Sequence, residues 1–181
     1  MTLSPFLRTL IRANFRLTTR ASANRTITSE VARYEMITDS LTEEELHQAV
    51  RVPSMRGVDE DMREWSITQI LEHNIIVNGI LTDVQKELAG GIPMTRTIDP
   101  KRDVMPSNNP SPDIFEKFIA STDAYESTVA EFLKLRGTKT RRHPVLGELD
   151  AHGWHCMFGR HLAIHRKQAA AVAKSLRATK S

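Results

Sequence analysis

At 181 residues, 40% hydrophobic and 26% charged, with a formal net charge of +3, the chain has the size and balance of one soluble domain with a sizeable core. No stretch approaches the uninterrupted apolar run of about 20 residues that a membrane span needs. The single cysteine, Cys156, excludes an internal disulfide and a Cys-based zinc cluster. We therefore expect one domain over residues 1–181, with 1–27 extending the first helical region, in a reducing, cytoplasmic setting with no membrane partner.

The charge is unevenly spread. Residues 1–29 hold Arg8, Arg12, Arg16, Arg20 and Arg25 and no acid, and all 22 acids lie between Glu30 and Asp150. Beyond Asp150 come Arg160, Arg166, Lys167, Lys174, Arg177 and Lys180. Such ends can pair with the acidic middle of the same molecule, attract an anionic partner, or simply be solvated helix faces, and the last is the expectation. The acid-free N-terminus also has the composition of a mitochondrial presequence, though a cytoplasmic protein is the preferred reading.

Helical periodicity dominates, and convincing period-2 strand patterns are absent. The spacing predicts a first helical region from about Ser4 to Asp39, bent near Asn24, and a short helical turn in "SLTEEELHQAV". Pro53 and Gly57 mark a loop. The second helix starts at Ser66, where Ser66 and Gln69 form an S-x-x-Q capping box, and runs to about Ala89. Pro93, Pro100, Pro106 and Pro110 then mark a long connection, which suits two helices that are not simple antiparallel neighbours. The third helix is predicted from Ser111 as N-cap, with Pro112 at its first position and Asp113 next, to about Leu135. After a basic loop, the fourth is predicted from Asp150 to about Leu176. Four helices with one long connection point to an all-α four-helix bundle.

Two histidines in "FGRHLAIHRKQ" then draw attention. At 100° per residue, Trp154, Met157, His165, Gln168 and Val172 all fall within about 60° of His161. That stripe is mostly apolar and should face the core. On the same reckoning His152 lies opposite, and His155 and Cys156 point away, so these three are expected at the surface or a helix junction. In the second helix, His73 shares its stripe with Ser66, Gln69, Ile76, Val77, Ile80 and Val84. Three buried imidazoles are most simply satisfied by sharing a cation. The i,i+4 pair plus a third histidine leaves a fourth position open, the arrangement of a catalytic rather than a structural site. Imidazole suits zinc, nickel, iron or copper. Spacing alone leaves hydrogen-bonded core histidines as an equal alternative.

"WSITQILEHN" and "HPVLGELDAHGWHCMFGRHLAIHRKQ" resemble the DinB/YfiT-like family of metal-site proteins. The likeness covers roughly residues 28–176 and includes the HP-x-x-G segment of His143, Pro144 and Gly147. Gln69 stands where an acid is frequent, and Gly153 and Gly159 should loosen the start of the last helix. The resemblance implies a four-helix bundle in up-down-down-up order, with a crossover between helices two and three. It also implies a metal triad of His73, His161 and His165, with Gln168 following the pair, and zinc or nickel as the metal, with iron a further candidate.

The activity so implied is that of a metal-dependent hydrolase or a thiol-dependent transferase or isomerase. Its partners would be a small-molecule substrate and a low-molecular-weight thiol. No catalytic residue can be named. Gln69, Gln168, Tyr125 and His143 are candidates for supporting the ligands or lining a pocket, with Thr122 beside Tyr125. The alternative is a non-catalytic bundle that the metal merely braces. Nucleic-acid binding is not expected, because no helix-turn-helix or other nucleic-acid motif appears. The long first helix is a candidate homodimer face.

Overall fold

A computed structural model describes residues 4–95 and 97–178; residues 1–3, 96 and 179–181, Lys180 among them, lie outside the described part. In chain order come α1 (Pro5–Leu17), α2 (Arg20–Thr38), α3 (Glu43–His47), a 3-10 turn (Glu60–Met62), α4 (Ile67–Leu88), α5 (Ile114–Ala130), β1 (Arg141–His143), β2 (Gly147–Leu149) and α6 (Ala151–Ala178). The protein is thus mostly helical. Helix α6 is its spine, packed on one side by α4 and on another by α2, while α5 covers α4.

Local chemistry sets the boundaries. The first helical region breaks at Thr18–Thr19, five residues before the expected bend. There the backbone turns extended, and the Thr19 hydroxyl caps α2 by accepting from the Ser22 N–H. Asn24 is left inside α2, where its side chain serves α6. Helix α4 begins as expected: the Ser66 and Gln69 side chains and N–H groups bond reciprocally. Helix α5 starts two residues later than expected. Ser111 turns its hydroxyl onto the Asp113 carboxylate instead of capping, and Asp113 becomes the N-cap. It also ends at Ala130, where the Arg20 guanidinium donates to the Val129 and Phe132 carbonyls.

The basic loop holds a hairpin that periodicity missed. Strands β1 and β2 pair antiparallel, Arg141 opposite Leu149 and His143 opposite Gly147, and three-residue strands are too short to show alternation. His143 shapes the turn: its Nδ1 accepts from the N–H groups of Val145 and Leu146, both at 3.1 Å. Gly147 supplies the φ of 76° that follows. Of the two basic ends, the C-terminal one pairs within the molecule through Arg166, and two arginines of the middle pair as well. Arg166 donates to buried Glu30 at 2.8 Å, Arg33 joins it, and Arg141 pairs with Glu87.

The core runs along α6. Phe158 stacks on Tyr125 with ring centroids 3.6 Å apart, and Leu162, Ala169 and Val172 are fully enclosed. Each large apolar side chain so buried contributes roughly 1.5–3 kcal/mol. Gly153 and Gly159 do not interrupt α6. Gly159 instead admits α2, since a Cβ there would sit 3.2 Å from the Thr26 methyl.

Burial on two faces also corrects the surface alternative for three residues, and His152 lies at a helix junction. His152, His155 and Cys156 are 3%, 1% and 8% exposed. The reckoning from His161 identified the face toward α4 but not the one covered by α1 and α2. His152 Nε2–H donates to the Phe15 and Thr18 carbonyls, at 3.1 and 2.9 Å, and so closes the end of α1.

Candidate metal centre

The three histidines converge. His73 rises from the second turn of α4, and His161 and His165 stand one turn apart on α6. Ring centroids lie 4.5 Å apart for His73 and His165, 4.6 Å for the α6 pair and 5.1 Å for His73 and His161. One ligand atom from each falls within 4.8 Å of the others, with His73 and His165 each 2% exposed.

For His73 and His165, hydrogen bonds decide which nitrogen the ring offers. His73 Nδ1–H donates to the Val104 carbonyl at 2.7 Å, leaving the Nε2 lone pair toward the cluster. For His165 the partner is Gln168. The Gln168 amide N–H donates to the Met62 carbonyl at 2.6 Å, so its Oε1 is an acceptor. His165 Nδ1–H must therefore be the donor in the 2.9 Å contact, which frees its Nε2. Metal-ligating histidines characteristically donate their other N–H in this way, to a carbonyl or carboxylate. The Nε2 atoms of His73 and His161 are buried without any hydrogen-bond partner. Native structures rarely leave such groups orphaned, and a shared cation would satisfy both. The donor set therefore fits a divalent metal.

Electrostatics agree. Burial holds His73 below the ordinary imidazole range. Burial, then the charges of His165, His73 and His143, push His161 well below it. Burial and His73 take His165 down to about 3. All three rings are neutral near pH 7, the form that binds metal. Trp65 packs over the cluster, its ring 5.1 Å from His73 and 6.5 Å from His165.

The other candidates are placed as follows. Gln168 touches His165 directly. Gln69 serves the backbone: it accepts from Ser66 N–H and donates to the Ser107 carbonyl, tying the crossover to α4. His143 packs 5.1 Å from Trp154 and holds its turn, with a charge close enough to lower His161. Tyr125 accepts from Gln85 at 3.3 Å and meets His155 at 3.1 Å, and neither of these partners is a triad histidine. Thr122 accepts from Asn78. Sequence reasoning missed two contributors. The Val104 carbonyl, on the crossover, carries no side-chain signal at all. Trp65, directly before the Ser66 cap, occupies the apolar position that often packs back against a helix start, and that signal was available.

Comparison with known proteins gives one family. No curated protein and no solved structure matches the chain. A profile of the DinB superfamily matches residues 26–169, well over half of it, spanning most of α2 through most of α6 and all three histidines. The chain belongs to the DinB superfamily.

Proposed function

We propose that this protein is a metal-dependent enzyme of the four-helix, up-down-down-up type, binding zinc or nickel through the Nε2 atoms of His73, His161 and His165. One observation carries the reading: two buried, unpartnered imidazole nitrogens face a third, and the opposite nitrogens of His73 and His165 are fixed by carbonyl acceptors. Three protein ligands leave a coordination position for an exogenous group. The chemistry a metal supplies there is Lewis acidity, which eases deprotonation of water or a thiol near neutral pH.

This chain's own residues orient the ligands. Val104 and Gln168 hold two tautomers, and Met62 holds Gln168. The reaction class is hydrolysis, or transfer or isomerisation using a small cytoplasmic thiol, on a small-molecule substrate. Any thiol must come from outside. Burial pushes the Cys156 thiol up to about 11, and the residue lies against Phe15 and His152.

The depth of the cluster supports a second reading, in which the metal only braces α4 against α6. Turnover separates the two. Protein loaded with zinc or nickel is assayed on ester, amide and thiol-transfer substrates, then stripped with chelator and reloaded. The enzyme reading expects activity lost on stripping and restored on reloading. A drop in thermal stability with no turnover on any substrate class supports the brace.

A further inference from the structure

Helix α1 precedes the region matched by the family profile, and it presents two apolar faces. One is buried: Ile11 and Phe15 pack into the core, and His152 ties down the helix end. The other is bare. Phe6, Leu10 and Leu17 are 74%, 49% and 83% exposed. At 100° per residue these three lie within about 40° of one another, roughly opposite Phe15. The domain has thus anchored a helix while leaving an apolar stripe along its outer side.

Charge says what could cover that stripe. Arg16 flanks it, and no acid occurs anywhere in α1 or before Glu30 in α2. At its C-terminal end, Arg136 donates to the Thr18 carbonyl, bringing up a segment with fully exposed Leu133 and exposed Lys134. Pairing α1 with α1 of a second copy would bring arginines together with no carboxylate on either helix. Three side chains also offer far less than the roughly 800 Å² per partner of a stable interface. A surface of negative charge over hydrocarbon meets both requirements. Apolar side chains enter the headgroup boundary while arginine and lysine reach phosphate.

We propose that α1 is an interfacial helix that seats this protein on an anionic lipid surface, with Phe6, Leu10 and Leu17 inserted and Arg16, Lys134 and Arg136 at the headgroups. This departs from the expectation of no membrane partner. That expectation came from the lack of a spanning segment, and none of the described helices is long and apolar enough to cross a membrane. A helix lying in the interface needs no span.

The test is co-sedimentation of the full chain with two kinds of vesicle: phosphatidylcholine alone, and equal parts phosphatidylcholine and phosphatidylserine. Binding should require phosphatidylserine and weaken with salt. The Leu10→Ser/Leu17→Ser double variant, altered only at exposed positions and checked for unchanged helicity, should bind about tenfold less or weaker still. Arg16→Gln and Lys134→Gln should each cost about fivefold. The proposal is overturned if neither vesicle binds the protein, or if the double variant binds as well as the parent. It is equally overturned if sedimentation velocity finds a dimer that the double variant dissolves, because the stripe then belongs to a second copy.

Discussion

Helix α6 carries two buried histidine clusters, and they differ in one respect. On His155 both ring nitrogens are used. Its Nε2–H donates to Asn24 at 2.7 Å, and its Nδ1 accepts from the Tyr125 hydroxyl, which in turn accepts from Gln85. In the other cluster His165 is as deeply placed and His161 half-buried, yet the Nε2 atoms of His161 and of His73 facing it remain unfilled. Burial of a histidine is therefore not the mark of a ligand. The mark is a neutral ring whose second nitrogen has nowhere to go.

The comparison breaks most visibly under ligand removal. Replacing His73 by Ala should weaken zinc binding on the order of a hundredfold to a thousandfold, its share of a structural-zinc free energy of about 10–16 kcal/mol. His155→Ala should leave affinity unchanged. Competition against a chromogenic chelator measures both.

Stability of the metal-free protein should show the reverse. His155→Leu leaves the buried Tyr125 hydroxyl without its acceptor, while exposed Asn24 can turn to water, and should cost about 2 kcal/mol. His161→Leu removes an orphaned nitrogen and should stay within about 1 kcal/mol of the parent. Urea titration of both variants checks this, and equal losses would erase the distinction.

Acid should act on both clusters in metal-free protein. Burial, then the His152 and Arg20 charges, take His155 down to about 4, and His165 stands at about 3. Between these values and the unfolded pKa of about 6.5, the unfolded chain binds more protons, so stability rises with pH. It is complete above about pH 6.5 and is lost as pH falls toward 4. His155 alone accounts for roughly 3 kcal/mol. Urea midpoints across that range should fall with acid, less steeply in His155→Leu; a flat profile contradicts the assignment of neutral rings.

Smaller effects sharpen the picture. Gln168→Leu frees His165 to rotate and should lower zinc affinity by about 10- to 100-fold while the three ligands remain. Ser66→Ala removes one half of the α4 cap and should cost about 1 kcal/mol of stability, with little change in affinity.

Much of the centre was legible in the sequence because helical spacing reports one face at a time. His73, His161 and His165 each sat on an apolar stripe, and Gln168 followed His165 at i+3, which is where it bonds. The same method hid His155, because α6 is buried on a second face that a single stripe does not register. The Ser66 start was legible because its capping box is written in side chains. The Thr18–Thr19 break depends on which hydroxyl wins a backbone N–H, and the β1–β2 hairpin is shorter than any period. The acceptor for His73 is a backbone carbonyl brought in by the crossover, and no residue type announces that.

The most direct test of the three-histidine centre is the metal content of the purified protein by elemental mass spectrometry, beside a His161→Ala variant of unchanged helicity. The account predicts a near-stoichiometric divalent metal in the parent and its loss in the variant. A parent that is metal-free and takes up neither zinc nor nickel on titration would contradict it, as would equal metal in both proteins.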